Sequence, residues 1–487
     1  MAFKDLRDWV AALEERAALK RISAEVDWNE EIGAITFRSI GLKGPALLFE
    51  NIKDYQDGDF RRVMTASLGT YRRIAMMLGL PTDSSPGDLI RLFRQRIKSP
   101  VEPVLVATGP IKQNVLQGQD VNLLRLPVPK WNHRDGGRYL LTFGGIVTKD
   151  PDSGWSNVGL YRGMLLDETS MAIQAPPDKH IHWHRRKFAE QSQPLPVAVV
   201  FGGDPTFPFC ASTGFPPGTS EYGMMGALRQ EPVELVKCET IDLEVPAHAE
   251  IVLEGTVHYD PSTYRYEGPF GEFTGFFGGE RSLQPVMQVH CITYRDDPIF
   301  TGSPRSKPID EAGYIDSIVV SADAWSSLEK IGVPGVNDVF CSPVTSSANV
   351  IVQISKRYQG HAKQVAAALW GSKPGGYKNV MVVDDDIDIH NPVDLEWAFT
   401  WRVDAAADGI VVFPGLPGLR YDPSTDARWK DPNKHGRARW NRVLIDATAD
   451  WRWEPREEWD GRRLPPVVES TPEMKSLVAR RWKEYGL

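Results

Sequence analysis

The sequence predicts a multi-domain α/β protein with a β-rich central domain. Three observations lead to this fold class. The chain has 487 residues, which is longer than a single domain usually is. Residues 105–300 carry short β-rich runs separated by Gly and Pro turns. The segments before and after them alternate strand-like and helix-like patterns, which predicts an α/β domain at each end of the chain.

The N-terminal segment begins with a predicted helix. Apolar residues recur at near-helical spacing over residues 3–21, with charged residues between them. Residues 46–49 are continuously apolar and predict a buried strand, and an α/β unit continues from residue 62 to about residue 100. Pro100 and Pro103 then mark a boundary, because proline punctuates regular structure.

The central segment is dominated by predicted strands. One clear helix is predicted at 221–228, where Thr219 or Ser220 can act as the N-cap. Short strands joined by turns are typical of a mostly antiparallel barrel or sandwich. The predicted strands are 104–107, 140–147, 197–201, 250–257 and 286–294.

The C-terminal segment alternates strands and helices again. Strands at 350–354 and 378–383 alternate with helices at 361–369 and 393–403. This pattern predicts βαβ units and a largely parallel sheet. The remaining predictions are a polar loop and a terminal amphipathic helix, at 420–439 and 471–485.

The composition excludes several classes of protein. Hydrophobic residues make up 41% of the chain and charged residues 25%, as in an ordinary soluble enzyme. A net charge of −8 argues against a nucleic-acid or anionic-membrane partner. No apolar run reaches the roughly 18 residues that span a bilayer, and the N-terminus lacks a signal-peptide pattern. The four cysteines form no CxxC pair, so we expect free thiols in a reducing cytoplasm.

A glycine-rich segment at 266–276 carries two carboxylates, Glu267 and Glu272. In an extended strand, a spacing of five places their side chains on opposite faces. A bend at residues 269–271 can turn both toward one cavity, where the aromatic neighbours exclude water. A desolvated carboxyl holds its proton to higher pH, which suits a general acid. The alternative is a hairpin whose glutamates are both solvated.

Two further segments carry groups that bind anions or metal ions. Asn157 offers a neutral oxygen ligand, and Arg162 offers a forked cation that suits carboxylate or phosphate. A plain surface strand also explains that segment. Glu221, in the first turn of a predicted helix, is either a capping device or an oxygen ligand for a divalent ion.

The last candidate binding residues are a run of three histidines and a lysine in the first turn of a predicted helix. His180, His182 and His184 share one face of an extended strand, which resembles a zinc site, whereas in a helix only the first and third share a face. Lys363 lies in the first turn of a predicted helix, which suits an anion bound at that N-terminus. The acidic run at 384–388 is interpreted as a strand end and turn. No GxGxxG, GxxxxGK[ST] or GxSxG motif supports a dehydrogenase, a P-loop enzyme or an α/β-hydrolase.

Taken together, these segments resemble the UbiD family of reversible decarboxylases, of the aromatic-acid type, which use prenylated FMN. The resemblance runs through essentially the whole chain, and its motifs occur in the family's order. It implies an N-terminal α/β domain, a split β-barrel that binds the flavin, a linker helix, and a C-terminal α/β oligomerisation domain with a terminal helix. The implied bounds are 1–104, 105–305, 306–325 and 326–487.

The resemblance also implies a role for each site residue. Arg162, Glu267 and Glu272 look like the family's catalytic network: Glu267 holds Arg162, Arg162 orients the substrate carboxylate, and Glu272 protonates the carbon that loses CO₂. The implied ligands of Mn²⁺ or Mg²⁺ are Asn157, His180 and Glu221. The implied contacts of K⁺ are Trp155, Ala211, Ser212 and Glu221. The implied contacts of prenylated FMN are Asn157, Val158, Gly159, Leu160, Tyr161, Arg162, His180, Ala211, Ser212, Glu221 and Lys363.

The implied activity is non-oxidative decarboxylation of an aromatic or heteroaromatic acid, through a covalent adduct between flavin and substrate. Loss of CO₂ leaves a carbanion, which needs a cofactor as electron sink. A flavin prenyltransferase is the implied supplier of the cofactor, and a homodimer or homohexamer is the implied assembly. Three alternatives remain: an aromatic acyl-CoA decarboxylase of the same family, a metal-dependent hydrolase built on the three histidines, and a flavin-binding subunit that needs partners.

Overall fold

The computed structural model describes residues 3–174, 176–307, 309–346, 348–373 and 375–486. Its N-terminal segment packs helices against a small sheet. The elements are α1 (Leu6–Glu15), β1 (Leu19–Ile22), α2 (Glu31–Gly41), β2 (Ala46–Phe49), β3 (Arg62–Thr65), α3 (Tyr71–Leu78) and α4 (Pro86–Arg96). The strand β2 is buried along its whole length, as predicted.

The predicted helix at 3–21 is too long. Asp5 caps α1 by accepting hydrogen bonds from the backbone N–H groups of Arg7 and Asp8, and the helix ends at Glu15. Ala17 then adopts a φ of 52°, in the left-handed region, and the chain turns into β1. Leu19, whose spacing fits the helix, therefore belongs to a strand. No glycine marks this turn, so no residue type signals the end of the helix.

The central segment forms a curled antiparallel sheet, which confirms the predicted barrel-like or sandwich-like architecture. Helices are few: α5 (His180–Glu190), α6 (Thr206–Ala211) and α7 (Glu221–Arg229). The strands are β4 (Val104–Leu105), β5 (Asn114–Gln117), β6 (Tyr139–Leu141), β7 (Gly145–Lys149), β8 (Ser156–Gly159), β9 (Gly163–Leu165), β10 (Ser170–Ile173), β11 (Leu195–Phe201), β12 (Glu234–Lys237), β13 (Glu244–Pro246), β14 (Ile251–Val257), β15 (Arg265–Glu267), β16 (Phe270–Gly271), β17 (Phe277–Gly278), β18 (Ser282–Gln284), β19 (Val286–Tyr294) and β20 (Ile299–Thr301).

Nine of these strands make the curled sheet, in the order β6-β9-β10-β19-β14-β11-β7-β8, with β5 also paired to β19. The predicted strand 140–147 is in fact two strands, β6 and β7, because the chain bends at residues 142–144. β20 leaves this sheet and pairs in parallel with β3, so the N-terminal sheet has the order β1-β2-β3-β20. The central segment thus supplies a strand to the N-terminal sheet, and the domain boundaries remain predictions.

The C-terminal segment begins with a long helix. Asp310 caps it by accepting from the N–H of Gly313 at 2.8 Å, and Gly332 ends it with a φ of 84°. The helix therefore extends beyond the predicted linker at 306–325. The elements are α8 (Glu311–Ile331), β21 (Val336–Phe340), β22 (Asn349–Ile354), α9 (His361–Ser372), β23 (Asn379–Asp384), α10 (Pro392–Arg402), β24 (Ile410–Gly418), α11 (Pro432–His435), β25 (Ala438–Ala447) and α12 (Pro472–Arg481).

The C-terminal sheet has the order β21-β22-β23-β25-β24. Its three central strands are parallel, as predicted, whereas β21 and β24 are antiparallel edge strands. The predicted loop at 420–439 also contains the short helix α11. In the described part of the chain, no helix combines the length and the apolar character that crossing a membrane requires.

Candidate active site

The two glutamates of the glycine-rich segment lie on a folded hairpin. β15 ends at Glu267, and Gly268 follows with a φ of 93°, in a region that favours glycine. β16 then pairs with β17, and Glu272 lies in the turn between them. Glu267 is 0% exposed and Glu272 is 8% exposed. The bend therefore buries both carboxylates, and the solvated-hairpin alternative is wrong.

Arg162 joins the two acids. Its Nε and Nη2 atoms donate to the two carboxylate oxygens of Glu267, each at 2.8 Å, and its Nη1 atom donates to Glu272. The guanidinium also lies 5.1 Å from the ring centroid of Phe270. Although burial alone lowers the pKa of Arg162, its ion pairs with the two glutamates raise it above the ordinary value. The arginine is therefore a permanent cation between two carboxyl groups.

The two acids have different surroundings. Glu267 accepts the bidentate pair from Arg162 and a third hydrogen bond, at 2.7 Å, from the hydroxyl of Tyr139. Burial raises the pKa of Glu272 above its ordinary value, although Arg162 opposes the shift. The hairpin thus combines a firmly held carboxylate with an acid that keeps its proton to higher pH.

Replacing Tyr139 by phenylalanine tests this support of Glu267. The change leaves the buried carboxylate with one donor fewer, so we expect kcat to fall roughly fivefold and the free energy of unfolding to fall by about 1 kcal/mol. KM should stay constant. Enzyme kinetics and urea unfolding measure both effects. Tyr266→Phe is the matched control, since Tyr266 precedes Glu267 but is exposed. Equal behaviour of the two variants contradicts the role of Tyr139.

A second cluster lies around Asn157, at the start of the segment 157–162 that ends at Arg162. Asn157 is on β8, and His180 and Glu221 are the first residues of α5 and α7. The Nδ1 atom of His180 lies 2.8 Å from Oδ1 of Asn157, and Glu221 accepts from the N–H of Val158 at 3.0 Å. Ser220 is the N-cap of α7, and it is one of the two residues that the sequence predicts for that position. Three predicted metal ligands thus come together from three elements.

This cluster lines a cavity of about 250 Å³. Burial raises the pKa of Glu221 to about 7, although the backbone N–H groups of Val158 and of Glu221 itself oppose the shift. Among the described residues, no salt bridge to Glu221 exists. Burial also lowers the pKa of His180, which keeps the imidazole neutral. An uncompensated buried carboxylate, an amide oxygen and a neutral imidazole suit Mn²⁺ or Mg²⁺. These residues therefore fit a divalent cation.

Most of the predicted cofactor contacts share this cavity. Residues 157–161 form one wall and lead directly into Arg162, so a single segment connects the cavity to the two acids. The predicted contacts that line the cavity are Asn157, Val158, Gly159, Leu160, Tyr161, His180, Ala211, Ser212 and Glu221. The sequence motifs and the cavity thus coincide at nine positions.

The predicted potassium contacts lie close together but already have partners. The indole N–H of Trp155 donates to the carbonyl of Thr219 at 2.9 Å, and its ring meets that of His180 edge-on at 4.9 Å. The carbonyl of Ala211 accepts from Leu160 at 2.7 Å. The hydroxyl of Ser212 donates within its own helix. Trp155 supports the wall of the cavity but does not line it.

Lys363 is not brought to this cavity. It lies in the first turn of α9, and its Nζ atom pairs with Asp408 at 3.1 Å on the surface of the C-terminal segment. Lys363 and Asp408 line a different cavity, of about 230 Å³. The predicted anion contact therefore lies apart from the other cofactor-binding candidates.

The histidine run is helical. Only His180 and His184 share a face of α5, so the extended three-histidine arrangement is wrong. His184 is bonded through Nδ1 to the hydroxyl of Thr148 at 2.9 Å, and burial lowers its pKa to about 4. Across the described residues, no group of three His, Cys, Asp or Glu side chains could hold a metal ion. The structure gives no support to a three-histidine zinc hydrolase.

Four residues near the acids were missed by sequence reasoning: Tyr139, Gln174, Arg420 and Tyr421. Gln174 follows β10 and lies next to Arg162, while Arg420 and Tyr421 follow β24 in the C-terminal segment. Phe273 and Tyr421 approach to 6.3 Å between ring centroids. Their positions in sequence carry no motif, because only the tertiary fold brings residues 162 and 420 together.

Comparison with known proteins places the chain in a family. Three family models of 3-octaprenyl-4-hydroxybenzoate carboxy-lyase match the chain: the N-terminal domain at 10–93, the Rift-related domain at 103–308 and the C-terminal domain at 313–447. The chain is 33% identical, over 499 residues, to the pyrrole-2-carboxylic acid decarboxylase of Pseudomonas aeruginosa. The match covers 99% of this chain and 98% of that protein.

Solved structures give the same result. The vanillic acid decarboxylase of Sedimentibacter hydroxybenzoicus, in its open form, is 31% identical, with a TM-score of 0.87 and full coverage of both chains. The UbiD-class enzyme HmfF of Pelotomaculum thermopropionicum, in complex with FMN, is 29% identical, with a TM-score of 0.84. That match covers 97% of this chain and 98% of HmfF. Since relatives and domain models match along its whole length, the chain belongs to the UbiD family of carboxy-lyases.

Proposed function

We propose that this carboxy-lyase removes CO₂ from a small aromatic or heteroaromatic carboxylic acid, with prenylated FMN bound in the cavity beside Arg162. The observation that carries the proposal is the pair of buried acids on Arg162: Glu267 is held by three hydrogen-bond donors, and Glu272 has a pKa that burial raises. The named activities of the relatives from Pseudomonas aeruginosa and Sedimentibacter hydroxybenzoicus support the substrate class. An evolved form of HmfF in complex with prFMN, 28% identical, supports the cofactor.

The cavity residues suit the phosphate end of the flavin. Asn157, His180 and Glu221 would hold Mn²⁺ or Mg²⁺, and that cation would supply positive charge for the phosphate. Lys179, which lines the cavity at the start of α5, offers a further positive charge. Trp155, Ala211, Ser212 and Glu221 are the proposed surroundings of a potassium ion. When bound, the flavin supplies the electron sink that no side chain can provide.

The protein's own groups then handle the proton. Arg162, held on two sides by Glu267, keeps its position next to Glu272 throughout the reaction. Glu272 donates its proton to the substrate carbon that has lost CO₂ and takes a proton back from solvent. Proton donation by a positioned acid contributes about 10²–10⁴-fold to a rate.

Cofactor analysis tests the proposal. The protein is co-expressed with a flavin prenyltransferase, and the mass and absorbance of the bound flavin are measured. The loaded protein is then offered phenolic acids, pyrrole and furan carboxylates, and aromatic acyl-CoA acids, and CO₂ release is followed. Turnover of a free aromatic acid supports the proposal. A loaded enzyme that decarboxylates only acyl-CoA thioesters, or a protein that binds zinc and no flavin, contradicts it.

We further propose that the protein forms a homodimer or homohexamer through its C-terminal segment. Large apolar side chains are exposed along α10, with Trp401 74% exposed and Trp397 and Phe399 beside it. A patch of this kind costs free energy in water unless another surface covers it. We expect Trp401→Glu to shift the light-scattering mass toward the monomer. Leu42→Glu, on the exposed N-terminal surface, is the control, and a wild-type mass for both variants contradicts this interface.

A further inference from the structure

Arg162 has little hydrogen-bonding capacity left for a substrate. A guanidinium carries five N–H donors. In Arg162, Nε and one N–H of Nη2 bind Glu267, and one N–H of Nη1 binds Glu272. The other N–H of Nη2 meets the side-chain oxygen of Gln174 at 3.2 Å. The single N–H that remains can hold a carboxylate at one point only, and a two-point contact would need a second cation.

Gln174 leads to that other cation. Three donors surround one end of its side-chain amide, so the amide oxygen belongs at that end. The oxygen then accepts from Arg162, from the hydroxyl of Tyr421 at 3.0 Å and from Nη2 of Arg420 at 2.7 Å. One neutral oxygen therefore lies between two guanidinium groups that repel each other. The side chain of Gln174 therefore links Arg420 to Arg162 through hydrogen bonds.

Arg420 differs from its neighbours in having no carboxylate partner. Arg162 is paired with two glutamates, and Arg305 is paired with Asp310 at 3.1 Å. Within the described residues, Arg420 forms no salt bridge. Its Nη2 atom donates to the hydroxyl of Tyr421 at 2.5 Å, and its guanidinium lies 4.8 Å from the ring centroid of Tyr421. Arg420 is thus an oriented cation that attracts Glu272 only at longer range and has no direct ion pair among the residues that the structure describes.

We propose that Arg420, together with the remaining N–H of Arg162, binds the carboxylate group of the substrate and selects singly charged aromatic acids over their neutral analogues. This inference rests on the proposed function. Glu267 pairs with Arg162 and Asp310 pairs with Arg305, whereas Arg420 has no carboxylate within ion-pair distance among the described residues. A substrate carboxylate would supply that partner, and the bidentate geometry of a guanidinium suits a carboxylate.

The test compares the binding of an acid with that of its amide. The flavin-loaded protein is titrated calorimetrically with an unreactive aromatic acid and with the matching primary amide, which is neutral and nearly isosteric. Arg420→Gln should weaken acid binding by about tenfold and amide binding by less than about twofold. Arg420→Lys should recover part of the loss. Arg428→Gln is the control, since Arg428 is 76% exposed in its side chain and pairs with Asp426 in the same loop.

Kinetics add a second readout. In Arg420→Gln, KM for the acid should rise by about the same factor as its dissociation constant, while kcat changes less. Equal weakening of acid and amide, or no change in either, overturns the assignment. If Arg420→Gln loses its flavin, Arg420→Lys provides the test. A wild-type enzyme that decarboxylates no aromatic acid refutes the proposed function, whereas the ratio of acid to amide affinity still decides the role of Arg420.

Discussion

Glu272→Gln is expected to reduce kcat by about 10²–10⁴-fold while the flavin and the metal remain bound. Glutamine has nearly the same shape and can still accept from Nη1 of Arg162 through its amide oxygen. It has no acidic proton to give to carbon, so only proton transfer is lost. Cofactor content by absorbance and kcat by CO₂ release are the two measurements. Full loading combined with lost turnover is the expected result.

The same substitution should remove one limb of the pH profile. Burial raises the pKa of Glu272, so the wild-type carboxyl stays protonated to higher pH than a solvated glutamate. Decarboxylation needs the protonated form, and kcat should therefore fall as the pH rises through this raised value. Solvent deuterium exchange into the product ring should show the same limb. In Glu272→Gln, neither kcat nor deuterium exchange should show this fall with rising pH.

Glu280→Gln is the matched control for these measurements, because Glu280 belongs to the same hairpin region but is exposed. Its kcat and pH profile should equal those of the wild type. If Glu272→Gln turns over at the wild-type rate, another group donates the proton. Retained deuterium exchange in that variant leads to the same conclusion.

The hairpin shows what sequence reasoning can reach. The spacing of Glu267 and Glu272 alone predicts opposite faces, and the glycines and the proline between them predict a bend that reverses this. The structure confirms the bend. The partner Arg162, 105 residues before Glu267, could not be inferred from spacing. The resemblance to the UbiD family implies this partner, and that resemblance depends on several motifs that are each ambiguous when considered alone.

Other parts of the site could not be predicted because they depend on tertiary contacts. Tyr139 lies in an ordinary apolar strand, and only the packing of β6 against the hairpin brings its hydroxyl to Glu267. Arg420 lies in a segment predicted to be a polar loop. Conversely, Lys363 has a recognisable local pattern, yet the fold pairs it with Asp408 away from the cavity. Local patterns therefore predict local structure more dependably than the function of a residue.

The second large expected effect concerns Glu221, whose buried carboxylate forms no salt bridge with any residue that the structure describes. Glu221→Gln should abolish retention of Mn²⁺ and lower flavin occupancy severely, because one of the three metal ligands is lost. Metal analysis and flavin absorbance after desalting measure this. His180→Ala should behave in the same way. Glu231→Gln, just after α7 and exposed, should load normally.

Thermal unfolding separates a metal ligand from a residue that merely supports the fold. In metal-free protein, Glu221→Gln removes a buried charge that lacks an ionic partner, so the variant should be at least as stable as the wild type at pH 8. Added Mn²⁺ binds only the folded site and should stabilise the wild type by about 2.7 kcal/mol at one hundred times its Kd. The variant should not respond. A structural carboxylate stabilises the fold without metal, whereas a metal ligand stabilises it only when the metal is bound. A variant that is destabilised without metal therefore contradicts the ligand role. A variant that gains the same Mn²⁺ stabilisation as the wild type contradicts it as well.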